Sequence, residues 1–240
     1  MVTTEKQQVS GKNAKQVGHD KETCLANLLT ESTGVLHKPD GTNRTKVDVF
    51  SETTKYSLKS PSGKNTQVHL TPTHTWCSFF GITGDLEFWF YEFFGLPRSL
   101  RKGRKNTSQI PEHLNELALN WFNDNKIKIF DVIVRHGAYT QQDGSVQKGD
   151  SVDRVVWYDK KEDKIVYDIS VEELTKLIES GRWVWSTQNK NFATTLWFLD
   201  ENDNKLFHLQ MKGSGNASQF NSMQFHIYRP EKLDKGDCHS

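Results

Sequence analysis

The chain has 240 residues, 35% of them hydrophobic, with a formal net charge of +1 and a mean hydropathy of −0.71. That length suffices for one substantial domain or two small ones, and a charge this close to zero leaves any argument for a nucleic-acid partner to local clustering. The three scattered cysteines, Cys24, Cys77 and Cys238, make neither a disulfide framework nor a CxxC zinc pair, which points to a reducing, cytoplasmic setting. No apolar run reaches the roughly 18 residues of a membrane span, and the polar N-terminus, MVTTEKQQVSGKNAKQ, lacks the apolar segment of a signal peptide.

Residues 1–17 read as a flexible polar segment and 231–240 as a flexible tail. The spacing predicts a helix at about 20–31, with Leu25, Leu28 and Leu29 on its buried side and Asp20 as N-cap. A hairpin follows in TKVDVFSETTKYSLKS (45–60), then a further alternating segment, TQVHL, at 66–70. The aromatic stretch WCSFFGITGDLEFWFYEFFG reads as helical in its second half and as core. PEHLNELALNWFNDN (111–125) has helical spacing and a first-turn proline. KIKIFDVIVRHG (126–137), nearly all Val and Ile on one side, reads as a strand, and 153–170 as a hairpin through a charged turn. Residues 170–181 read as a short helix with Ser170 as N-cap, Glu173 closing a capping box and Gly181 as terminator. Three alternating strands complete the chain. This order, with no internal repeat or linker, suits a single α/β domain with a central mixed β-sheet flanked by helices.

The hairpin carries the chemistry. Alternation puts Ser57 and Lys59 on one face of the second strand and Tyr56 and Leu58 on the other. If the sheet packs through Tyr56 and Leu58, Lys59 becomes a fixed cation beside Asp48. A carboxylate on one strand and a lysine on the next suit phosphodiester hydrolysis: the acid holds Mg²⁺, and the lysine steadies the attacking hydroxide or the developing charge. Glu22 lies on the apolar stripe of the first helix, either as a first-turn acid favoured by the helix dipole or as a second metal-binding carboxylate; Glu31 is a poorer substitute. His69, His74 and Cys77 fit no common zinc spacing and read as polar surface, and His136 has no evident partner. The loop LPRSLRKGRKNTSQ, with Arg98, Arg101, Lys102, Arg104 and Lys105, is a solvated surface loop or a phosphate contact. Lys212, Asn216, Gln219 and Asn221 put cationic and amide groups on a loop between strands, where such groups either simply face solvent or read base edges.

Taken together, these segments resemble the type II restriction endonucleases of the PD-(D/E)xK superfamily, and within it the MspI-like branch of small enzymes with its GCGC-cutting relatives. The resemblance covers most of residues 10–230. GKNAKQVGHDKE resembles the segment whose Gly-x-x-x-Glu places the helix acid, here Gly18 and Glu22. VDVF and YSLKSPSGKNTQVHL resemble the Asp strand and the Lys strand with its following loop. LNWFNDNKIKIFDVIVRHG, LFHLQMKGSGN and MQFHIYRP resemble the second half, with its base-reading hairpin.

The resemblance implies a restriction-endonuclease-like domain over 18–230 that cuts double-stranded DNA at a short, four-base site with Mg²⁺, within a restriction-modification system. Asp48 then binds the metal, with Glu22 and the Leu58 carbonyl completing its shell, and Lys59 is the catalytic lysine. Ser57 stands where most of the superfamily has Glu or Asp and this branch a neutral amide. Lys64, Asn65 and Gln67 follow the lysine as DNA contacts, and Lys212, Asn216 and Gln219 fall on the base-reading hairpin. The implied partners are DNA and, as a genetic partner, a cognate methyltransferase, with no membrane; the enzyme acts as a monomer or weak homodimer. The alternatives are a sequence-specific DNA-binding protein on the same fold without cleavage, for which Ser57 gives footing, and a purely structural α/β protein.

Overall fold

A computed structural model of the chain describes residues 2–40, 46–60, 65–95, 105–140, 146–159, 161–186, 193–212 and 222–230, with side chains described except at 2–17, 138–140, 146–148 and 211–212. The architecture is α/β, with two five-stranded sheets. Helix α1 spans Val2–Thr33. It starts far upstream of the expected helix, so Asp20 lies inside it and is not its N-cap. The first sheet begins with two short strands, β1 (Lys38–Pro39) and β2 (Val49–Phe50), followed by β3 (Lys55–Lys59). Strand β4 (Asn65–Pro72) comes next in sequence but belongs to the second sheet. Helices α2 (Thr73–Phe80), α3 (Gly84–Phe94), α4 (Glu112–Asp124) and α5 (Lys126–Phe130) follow. A small hairpin of β5 (Ala138–Thr140) and β6 (Val146–Lys148) then precedes β7 (Arg154–Asp159) and β8 (Lys164–Ser170). Helix α6 (Val171–Ser180) leads to β9 (Arg182–Trp185), β10 (Thr195–Leu199), β11 (Lys205–Lys212) and β12 (Ser222–Tyr228).

The expected mixed sheet is the first of the two. Its order is β1-β2-β3-β7-β8, all pairs antiparallel except β3 with β7, which is parallel and sets Lys59 opposite Trp157. The second sheet, in the order β4-β12-β11-β10-β9, is antiparallel throughout. One consequence decides where the site sits: the chain leaves the first sheet at Lys59 and enters the second at Asn65.

Burial follows the sequence pattern. Leu25, Ala26 and Leu29 of α1 are buried against Val49, Tyr56 and Val156, with Leu58 at the margin of this cluster, whereas Leu28 is only half-buried. The larger core joins both sheets and α2–α6, and its centre is aromatic: Trp89 stacks on Phe93 at 4.8 Å and 14°. Buried Asn115 ties this core together. It accepts from Trp89 Nε1 at 3.0 Å and donates to the carbonyls of Thr107 (2.8 Å) and Ile110 (3.2 Å), so no amide atom is left orphaned. The expected capping box of α6 is present, with Ser170 Oγ accepting from Glu173 N–H and Glu173 Oε2 from Ser170 N–H, both at 3.0 Å.

Residues 126–137 overturn the strand expectation. They form α5 and a π-helical turn, Asp131–His136. A short run buried on all sides satisfies a central strand and a buried helix equally, and periodicity does not separate them. Local bonding decides the matter here. Asn125 N–H bonds to Trp121 O and Ile129 N–H to Asn125 O, carrying helical bonding across from α4. Lys126 Nζ then donates to the carbonyls of Glu179 and Gly181 (2.6 and 2.9 Å), closing the end of α6.

Two predictions test this packing. Gly181 has no room for a side chain: an added Cβ would press on the Phe198 ring and lie 2.5 Å from the Leu199 carbonyl oxygen. Gly181→Ala is expected to lower unfolding free energy by about 1–3 kcal/mol, read by urea denaturation; an unchanged midpoint would refute the close packing. His208 is 9% exposed, stacks on His226 at 4.3 Å, and burial, then His226 and Lys205, push its pKa from 6.5 to about 4. Between those two values the unfolded chain binds the proton and the folded chain does not, so stability falls as pH drops from 6.5 towards 4. His208→Phe should lose less stability than the native chain between pH 7 and pH 5; an equal loss in both would place the acid sensitivity elsewhere.

Candidate active site

The hairpin of β2 and β3 brings Asp48, Ser57, Leu58 and Lys59 together. Tyr56 and Leu58 face α1, as alternation requires, and Ser57 and Lys59 take the opposite face, where they are 1% and 8% exposed. The backbone at Asp48 is fixed on both sides: its N–H donates to Tyr56 O at 2.8 Å, and its carbonyl accepts from Asp40 N–H at 3.0 Å. The Asp48 carboxylate reaches across the hairpin. Its Oδ2 accepts from Leu58 N–H at 2.6 Å and from Ser57 Oγ at 3.2 Å. Lys59 Nζ donates to Ser57 Oγ at 2.6 Å and to Leu58 O at 3.2 Å. Ser57 therefore bridges the lysine and the acid.

Electrostatics follow from burial. Burial lowers the pKa of Lys59, with Asp48 opposing the shift. Burial raises that of Glu22, His19 pulls it back through a 3.2 Å contact, and the charges of Asp48 and Asp40 add to the rise. Glu22 thus feels Asp48, and a carboxyl held above its ordinary range beside another carboxylate is a group that a cation would relieve.

A second lysine was missed from the sequence. Lys46, two residues before Asp48, donates from Nζ to Val68 O and lies 3.4 Å from His69 Nδ1. Burial, then the charge of Lys59, push its pKa down to about 7, with Asp48 opposing. His69, expected at the polar surface, is buried instead beside Trp76 and Phe225, and burial, with Lys46, pushes its pKa to about 3. The reason is a bulge in β4: Phe225 and His226, adjacent on β12, pair with His69 and Gln67, so Val68 is the extra residue and both it and His69 turn to the core. His74 is exposed. His136, which had no evident partner, has its Nδ1 3.3 Å from Gly149 O. Cys77 is buried and its thiol is pushed up to about 12 by burial, so it is no nucleophile at neutral pH.

The sequence-predicted DNA contacts divide. Asn65 and Gln67 lie on β4 in the second sheet, engaged with His226 Nδ1 (3.0 Å) and Gln224 Nε2 (2.6 Å). Lys105 is paired with Glu92. Lys212 pairs through its backbone register with Ser222. Lys64, Arg98, Arg101, Lys102, Arg104, Asn216, Gln219 and Asn221 lie outside the described residues.

Asp48, Glu22 and the Leu58 carbonyl, the groups that could hold a metal here, would offer it only hard oxygen, the donor type Mg²⁺ takes. Among the described residues no group of three or more His, Cys, Asp or Glu side chains is placed to hold a metal, and no helix is long and apolar enough to cross a membrane.

No protein-family model matches the chain, and no curated protein matches it. Among solved structures it is similar to the crystal structure of restriction endonuclease MspI in complex with its cognate DNA, at 11% identity and a TM-score of 0.46, over 80% of this chain and 70% of that one.

Proposed function

We propose that the chain is a Mg²⁺-dependent, sequence-specific endonuclease of double-stranded DNA, of the type II restriction kind, cutting at a short site. The observation that carries this reading is the Asp48–Ser57–Lys59 chain of hydrogen bonds on one face of a hairpin, with the Leu58 carbonyl beside it and Glu22 within electrostatic reach.

Each residue has a role its contacts support. Oδ2 of Asp48 is committed to Leu58 N–H and Ser57, and among the described residues its other oxygen is left for a cation. Glu22 and Leu58 O supply the remaining protein ligands. When bound, the cation polarises the scissile phosphate and lowers the pKa of a bound water. Lys59 has three donors; two are held by Ser57 Oγ and Leu58 O, and the third meets a phosphate oxygen or the entering hydroxide. Held at two points, the ammonium needs no reorganisation as charge develops in the transition state.

The second reading, a DNA-binding protein without cleavage, is favoured by one observation: position 57 offers a hydroxyl rather than a second acid, and that hydroxyl donates to Asp48. Incubating the protein with supercoiled plasmid and Mg²⁺ separates the two. Discrete linear fragments support cleavage, whereas a gel shift with intact plasmid refutes it. Lys59→Ala and Asp48→Asn should each lower the cleavage rate by at least about 10²-fold. With Ca²⁺ in place of Mg²⁺, Lys59→Ala should still bind DNA within about threefold of the native protein, because the lost interaction acts mainly in the transition state. A Lys59→Ala protein that cuts at the native rate would remove this site from the reaction.

A further inference from the structure

Lys46 joins three parts of the fold. It lies on the approach to β2, its ammonium donates to the Val68 carbonyl of β4 with His69 Nδ1 at 3.4 Å, and its stem lies along Gly137, just past the π-helical turn. Gly137 has φ +69°, and an added Cβ there would stand 3.1 Å from Lys46 Cε and 3.2 Å from Cγ, so the bare backbone leaves just enough room for the stem. Lys46 thus ties the segment carrying Asp48, which belongs to the first sheet, to a strand of the second. Val47, between the two residues, is buried in the core shared by both sheets. Asp48 in turn must hold one geometry to accept from Leu58 N–H at 2.6 Å and Ser57 Oγ at 3.2 Å.

We propose that Lys46 is a positioning residue: its ammonium, anchored on β4, holds the Asp48 segment in register so that the carboxylate keeps its bonds to Leu58 and Ser57. The catalytic consequence rests on the nuclease reading; the positioning does not, because it has a readout of its own. The Leu58 amide hydrogen reports directly on Asp48.

The test uses the full-length chain as native protein, Lys46→Met, which keeps the stem and removes the ammonium, and Lys46→Arg, which keeps a cationic donor. Amide exchange followed by NMR should be faster at Leu58 by about tenfold or more in Lys46→Met, with the core amides of Leu209 and Phe225 within about twofold of native. Lys46→Arg should restore most of the protection at Leu58. The proposal is overturned if Leu58 exchanges at the native rate in Lys46→Met, if Leu209 and Phe225 accelerate equally, or if Arg restores no more than Met. On plasmid, Lys46→Met should lower kcat by about tenfold or more with KM changed less than about threefold, as misplaced groups do. A native kcat together with altered Leu58 exchange would overturn the catalytic half. A native protein that cuts nothing would sink the nuclease reading, and Leu58 exchange would still decide the positioning.

Discussion

The rest of the site depends on a buried ammonium. Lys59 is 8% exposed, at the end of a strand paired in parallel with β7 and opposite fully buried Trp157. A cation removed from water must be compensated by hydrogen bonds and opposite charge, and an incomplete set is costly. Here the compensation is local: Ser57 Oγ, the Leu58 carbonyl and, through Ser57, the Asp48 carboxylate. A glutamate or aspartate at position 57 would neutralise Lys59 directly. Serine passes the compensation on to Asp48, which couples the two strands of the hairpin more tightly than the strand pairing alone.

Much of this was legible in the sequence, for physical reasons that can be named. A side-chain period of two fixes which residues share a face, and that alone placed Ser57 with Lys59 and Tyr56 with Leu58. The capping box of α6 was legible because Ser170 and Glu173 satisfy each other's backbone donors within one turn. Two kinds of feature were not legible. Burial of Ile129, Phe130, Val132, Ile133 and Val134 hid the helical period, so α5 and the π-helical turn read as a strand. Long-range contacts left no local mark either: nothing in KVD announces that Lys46 reaches Val68, 22 positions on, or that Gly137 clears the space for its stem. The division of strands between two sheets was hidden for the same reason, since β3 and β4 follow each other in sequence and yet part company in space.

Were the outer face of the second sheet to meet DNA, as the proposed function would allow, its existing bonds would matter. Asn65 and Gln67, amides suited to reading base edges, are already bonded across strands to His226 and Gln224, while His208 is bonded to Tyr228 at 2.9 Å and stacked on His226. Any base read by these amides would have to offer better hydrogen bonds than the ones broken to reach it. Such a cost discriminates against imperfect partners, because a wrong base breaks the cross-strand bonds without replacing them.

The two lysines near Asp48 have a consequence beyond geometry. Asp48 lies within electrostatic reach of Lys59 and Lys46 as well as of Glu22, so the lysines offset part of the carboxylates' charge. A divalent cation entering such a partly compensated cluster gains less than one entering a pair of bare carboxylates, and it leaves an excess of positive charge behind it. An anionic phosphate arriving next finds that excess charge, and by thermodynamic reciprocity it strengthens the hold on the cation by the same factor. In a nuclease built this way, metal and DNA each recruit the other, and the loaded state forms where both are present.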